Sequence, residues 1–123
     1  KVRYVYDGDT VVLKNNMEIR YLGIDTPEVA HSRTEFDEPG AVTAENVNRK
    51  LVQGKKVLLA APEEKEYTYD RLLAYIYAPL ESSYVNVTQY LLRKELGDSK
   101  YGKPDPELPY KVPMKEFEKY LKE

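Results

Sequence analysis

Three short stretches concentrate the side chains that could do chemistry. Asp7-Gly8-Asp9-Thr10 sets two acids around a glycine, and taken alone it is equally a plain Asp-Gly turn. Arg20-Tyr21-Leu22-Gly23-Ile24-Asp25-Thr26-Pro27-Glu28 runs an arginine into two acids on either side of Thr-Pro. An aspartate before a proline-braced turn also serves as a capping element, but a cation, two carboxylates and a fixed backbone in one run are less common. Tyr69-Asp70-Arg71 opens an alternating apolar run. Its arginine either ion-pairs at a rim, with Asp70 as one partner, or aims into a pocket. Carboxylates, arginines and tyrosines point to one kind of enzyme chemistry, in which carboxylates handle protons and hold a hard metal ion through oxygen.

The residues that are missing narrow the field further. The 123 residues include no cysteine, which removes thiolate nucleophiles, disulfides, zinc knuckles and iron–sulfur sites. His31 is the single histidine, so a Ser–His–Asp triad would have to pass through it. The formal net charge of −2 argues mildly against a broad basic surface for long nucleic acid, while leaving room for a pocket made by two or three arginines. Twelve tyrosines without a tryptophan supply half-buried strand residues and a few candidate stacking or phosphate-bonding groups. No apolar run approaches the roughly 20 residues of a membrane helix, and no charged-then-apolar leader stands at Lys1–Tyr6.

The elements that must position these residues read as β first and mixed later. Lys1–Tyr6, Val11–Leu13 and Ile19–Ile24 are short β-rich runs, the last two joined by Lys14-Asn15-Asn16. Strict alternation puts Arg20 and Asp25 on opposite faces, so a shared site demands a bend, and Gly23 is the natural place for it. Glu28–Gly40 reads as a long polar loop, and Ala41–Gln53 as a helix with Ala44, Val47 and Leu51 on one side. Strands follow at Lys56–Ala61 and Tyr69–Ala78, the second apolar on both faces. A second helix is expected from the cap Asn86 to Leu96, stopped by Gly97. Asp98–Val112 reads as a proline-rich loop, and Pro113 as the start of a last helix with Met114, Phe117, Tyr120 and Leu121 as its stripe. Five strands with a helix between the third and fourth is the order of a five-stranded OB-fold barrel, here with about three helices in one domain, residues 1–123.

In their order and residue content the three stretches resemble the staphylococcal nuclease (thermonuclease) family, whose Asp-Gly-Asp-Thr, Arg-x-x-x-(Val/Ile)-Asp-Thr-Pro-Glu and Tyr-Gly-Arg-x-Leu-Ala-Tyr-(Ile/Val)-Tyr motifs stand here in the same order. Val85-Asn86 and Leu91-Leu92-Arg93 also look like that family's second helix. The resemblance implies a Ca²⁺-dependent, sugar-nonspecific nuclease that hydrolyses DNA and RNA, preferably single-stranded or frayed, at the 5′ P–O bond to leave 3′-phosphate ends. It implies Asp9 and Asp25 as carboxylate ligands of Ca²⁺ and Thr26 as a ligand through its carbonyl. Glu28 takes the place of the general base, and Arg20 and Arg71 the places of the two phosphate-holding arginines. Tyr69 matches a tyrosine near the nucleotide's terminal phosphate, and Tyr101 is the candidate for base stacking. A secreted or cell-envelope location and a monomeric state are the corresponding expectations, with no membrane partner.

The chain departs from the family at several points. Asp70 replaces a glycine just before Arg71, Thr68 stands where a basic residue is common, and Glu35, Asp37 and Glu38 make the loop acidic. A catalytically inactive OB module that binds nucleic acid or protein is the alternative, yet such modules usually lose the acids or arginines retained here. A glycosidase reading of Asp9, Asp25 and Glu28 leaves both arginines unexplained and lacks a tryptophan to stack on sugar.

Overall fold

A computed structural model describes residues 1–27, 38–61, 67–68, 70–99 and 108–116. Its strands are β1 (Val2–Asp7), β2 (Thr10–Leu13), β3 (Glu18–Tyr21), β4 (Ile24–Asp25), β5 (Leu58–Ala60), β6 (Tyr67–Thr68), β7 (Arg71–Leu80), β8 (Ser83–Asn86), β9 (Asp98–Ser99) and β10 (Lys111–Pro113). There are two helices, α1 (Ala41–Val52) and α2 (Val87–Arg93), and a helical stretch at Met114–Glu116 follows β10. No helix among the described residues is long and apolar enough to cross a membrane.

The first three strands form a meander. Asn15 closes the β2–β3 hairpin by accepting the Met17 N–H on its side chain at 3.0 Å, and Asn16 takes the left-handed backbone (φ 67°) that asparagine tolerates. β3 then pairs in parallel with β7, matching Ile19 to Leu72 and Tyr21 to Ala74. β7 is the hub. Its first residues pair β3 and β6, and its later ones pair β5 and β8. That double use is why it is apolar on both faces. The sheet path β1-β2-β3-β7-β8-β10 stays open among the described residues, and β4 and β9 form a separate two-stranded sheet. The whole is an α+β fold of the OB type.

One sheet face makes the core. Val5, Val11, Ile19 and Leu72 lie in one buried row across β1, β2, β3 and β7, and Ala44, Leu51, Val87 and Leu91 approach from the helices. The opposite face carries Tyr4, Tyr6, Glu18, Arg20 and Arg71, one residue out of step with the buried row.

Several expectations are refined. The run Ile19–Ile24 is two strands, because Gly23 (φ 83°) turns the chain between Tyr21 and Ile24. Ser83–Asn86 is a strand as well as a cap-bearing segment, and Asp98–Val112, read as loop throughout, contains β9 and the start of β10. α2 ends at Arg93 rather than Leu96. Its left-handed stop is Glu95 (φ 58°), after which Leu96 N–H reaches back to the Leu91 carbonyl at 3.0 Å. Gly97 does another job: a Cβ there would stand 2.9 Å from the Asp25 carbonyl oxygen, so only glycine lets this segment lie against β4. The cap Asn86 is as expected, accepting the Gln89 N–H at 3.2 Å. Phe117, Tyr120 and Leu121 lie outside the described residues.

Candidate active site

The turn between β1 and β2 holds its first acid by local bonding. Asp7 Oδ1 accepts the Asp9 N–H at 3.0 Å, an Asx-type turn that fixes where the Asp9 side chain leaves the backbone. Gly8 must be glycine for space, since an added Cβ would meet Thr26 Oγ1 at 2.6 Å and Ala44 Cβ at 2.8 Å. The Asp-Gly-Asp turn is thereby clamped between β4 and α1.

Asp9 and Asp25 converge on one guanidinium. Arg20 Nη2 lies 3.1 Å from Asp9 Oδ2 and 3.3 Å from Asp25 Oδ1. Arg20 Nη1 donates to the carbonyls of Tyr21 (2.7 Å) and Ile24 (2.8 Å), the two sides of the Gly23 turn. The bend that alternation demanded is therefore held shut by the arginine it brings to the site. Asp9 Oδ2 also accepts the Thr26 N–H at 2.9 Å, and Thr10 Oγ1 lies 3.2 Å from Asp9 Oδ1. Asp9 is 3% exposed and Arg20 7%, so this is a buried ion pair whose remaining valences are met by backbone. The Asp25 side chain is 41% exposed and opens the cluster to solvent.

Arg71 sits farther out on the same sheet face. Its Nε lies 3.8 Å from Glu18 Oε2, and its guanidinium carbon stands 5.4 Å from the centre of the Tyr6 ring. Asp70, beside it, is exposed and left-handed (φ 65°), which accounts for a glycine at this position in the family pattern. The structure thus brings together Asp9, Arg20, Asp25 and Thr26, and sets Arg71 on the same face with partners of its own. Glu28, Tyr69 and Tyr101 lie outside the described residues.

Sequence reasoning missed a second layer. The Tyr21 hydroxyl donates to Asn48 Oδ1 at 2.6 Å, and Asn48 Nδ2 donates to the Asp7 carbonyl at 2.9 Å. Asn48 is fully buried on α1, so the helix grips the Asp7–Asp9 turn from behind. Burial, with the negative charges of Asp9 and Asp7 nearby, pushes the Tyr21 hydroxyl well above the ordinary tyrosine range, although its bond to Asn48 acts the other way. An asparagine on the apolar stripe of a predicted helix was the available signal. Thr88 Oγ1 similarly donates to the Leu22 carbonyl at 2.7 Å, holding the Gly23 turn from α2.

Among the described residues no group of three metal-holding side chains forms. The donors present are carboxylate, hydroxyl and carbonyl oxygens, and the buried Thr26 Oγ1 has no hydrogen-bond partner. Carboxylate, hydroxyl and carbonyl oxygens are the donor types that suit a hard divalent cation filling its remaining shell with water or substrate oxygens.

The fold is of the OB type, and comparison with known proteins assigns the family and with it a nuclease-like domain. The profile described as "Staphylococcal nuclease homologue" matches residues 18–119, and the chain belongs to that family. It is 32% identical to a thermonuclease of Staphylococcus intermedius over 79 residues, covering 62% of this chain and 46% of that protein. A thermonuclease of Staphylococcus hyicus is 27% identical over 108 residues, or 85% and 61% of the two chains. An uncharacterised protein of Methanocaldococcus jannaschii is 32% identical over 114 residues, or 76% and 55%. The chain spans about half the length of the curated relatives it matches.

Proposed function

We propose that this domain is a Ca²⁺-dependent phosphodiesterase that hydrolyses DNA and RNA without sugar preference, leaving 3′-phosphate ends. The observation that supports it most is the convergence of Asp9 and Asp25 on Arg20, with Thr26 bonded to Asp9. A phosphodiester is an anion, and its transition state carries more negative charge, so a preorganised cationic site is the main requirement. Asp9, Asp25 and the Thr26 carbonyl would hold the ion. When bound, Ca²⁺ supplies Lewis-acid stabilisation of charge on the phosphate oxygens.

The chain's own residues do the rest. Arg20, already oriented by two carbonyls, holds both carboxylates in place and presents its edge to a phosphate oxygen. Arg71, half-exposed on the same sheet face, contributes a second fork once substrate competes with Glu18 for it. Glu28 takes the proton of the attacking water, and Tyr69 and Tyr101 contact the nucleotide. A single-stranded or frayed substrate suits an open sheet face, and the domain acts as a monomer outside the cytoplasm or at the cell envelope.

The burial of Arg20 favours a second reading, a non-catalytic module in which the arginine is purely a strut. Product analysis separates the two. Single-stranded DNA and RNA incubated with the protein and Ca²⁺ should both yield fragments whose 3′ ends resist polymerase extension until phosphatase treatment. Intact substrate would favour the binding module, and extendable 3′-hydroxyl ends would overturn the proposed bond specificity.

A further inference from the structure

We propose that the outer face of β1, bearing Tyr6 and Tyr4, is a stacking track for bases of a single nucleic-acid strand beyond the linkage that is cut. This inference rests on the phosphodiesterase reading and extends its substrate contacts. Along β1 burial alternates from Tyr4 onward: Tyr4 is 48% exposed, Val5 buried, Tyr6 half-buried and Asp7 buried. The two tyrosines therefore share a face, and the core is complete without them.

That face continues into the candidate site. Tyr4 pairs with Val12, Val12 with Glu18, and Glu18 lies one step before the Ile19–Leu72 match, alongside Arg71. The Arg71 guanidinium stands 5.4 Å from the Tyr6 ring centre, so ring and cation already form one surface. A strand rises ~3.3 Å per residue, which sets Tyr4 and Tyr6 roughly 6.6 Å apart along the chain. Stacked bases in a duplex strand advance only ~3.4 Å, so these rings suit the splayed bases of an extended single strand.

Charge gathers at one end of the same strand. At the end of β1 away from Asp7, Lys1, Arg3 and Lys14 line one recess together with Val2 and Gly54. Three cations together on a chain of net charge −2 are placed for the phosphates of nucleotides farther from the cut. Aromatic stacking is tolerant of base identity, which is what a substrate track on a nonspecific enzyme requires.

The test compares a thymidine hexanucleotide with a thymidine dinucleotide as substrates for the wild type, Tyr4→Ala and Tyr4→Phe. Loss of the ring should lower the hexamer-to-dimer ratio of kcat/KM about tenfold, the size of one lost base stack, and Tyr4→Phe should restore it. A merely structural role would depress both substrates together. Equilibrium binding of the labelled hexamer in chelator, read by anisotropy, probes the track without turnover. There Tyr4→Ala should bind about tenfold more weakly, and Arg3→Gln with Lys14→Gln should flatten the salt dependence by roughly 1.4 in log–log slope. If the wild type cuts neither substrate yet Tyr4→Ala still loses hexamer affinity, the phosphodiesterase reading fails and the track stands. If Tyr4→Ala keeps the wild-type ratio and affinity, or changes only self-association in sedimentation, the track is overturned.

Discussion

Tyr21 and Asn48 are 27 residues apart in sequence and joined by a 2.6 Å hydrogen bond in the buried space between β3 and α1. The same asparagine holds the carbonyl of Asp7, so the bond links the strand that bears Arg20 to the turn that bears Asp9. Removing the donor alone leaves Asn48 Oδ1 buried without its partner. Tyr21→Phe should therefore lose about 1–3 kcal/mol of stability, read from the denaturant midpoint.

The same tyrosine gives a pH signature. Its folded-state hydroxyl titrates above the ordinary range, so its contribution to stability is fully present below the unfolded value of about 10 and declines as pH rises beyond it. The wild type should lose stability above that pH, and Tyr21→Phe should lose less over the same interval. Parallel curves for the two proteins would remove Tyr21 as the cause.

Arg20→Lys should impair both folding and turnover. Arg20 bonds two carbonyls and two carboxylates from a buried position. A lysine ammonium lacks the planar fork that spans them. The variant should melt at lower temperature and turn over about a hundredfold more slowly, the effect of losing ~3 kcal/mol of transition-state stabilisation. Normal kcat in the folded variant would make Arg20 a strut only.

Gly8→Ala tests the packing of the first motif. Its Cβ would fall within 3 Å of Thr26 and Ala44, so the turn must shift, at a cost of typically 1–3 kcal/mol. Ca²⁺ affinity, measured calorimetrically, should weaken along with the melting temperature. Unchanged values for both would show that the turn yields freely.

Much of this was legible in the sequence because it is local. The β-rich runs at Lys1–Tyr6, Val11–Leu13 and Ile19–Ile24 and the Asn15-Asn16 turn are written in their residue types, and the conflict between Arg20 and Asp25 pointed directly at Gly23. What stayed hidden depends on contacts distant along the chain. The helical stripe turns Asn48 inward but does not name Tyr21 and Asp7 as its partners, and Gly97 looked like a helix stop because its close approach to Asp25 exists only in three dimensions. β9 and β10 escaped because strands of two and three residues carry no periodicity.

Asp70 marks a second place where sequence suggested the wrong emphasis. Its charge beside Arg71 drew attention, but its φ of 65° is the stronger constraint. Asp70→Gly should stabilise the protein by several tenths to 1 kcal/mol by relieving the left-handed strain, as judged by the melting midpoint. A simultaneous fall in KM would mean that the Asp70 charge also weakens phosphate binding.

The most direct test of the central claim is a Ca²⁺ titration of single-stranded DNA cleavage, run with the wild type and Asp25→Asn. Cleavage should be absent in excess chelator, rise saturably with Ca²⁺, and respond poorly to Mg²⁺, because few protein carboxylates suit the larger ion with the more flexible shell. Asp25→Asn should require a much higher Ca²⁺ concentration. Full activity of the wild type in chelator, or an Asp25→Asn titration superimposable on the wild type, would contradict the assignment of Asp9, Asp25 and Arg20 as a metal-dependent phosphodiesterase site.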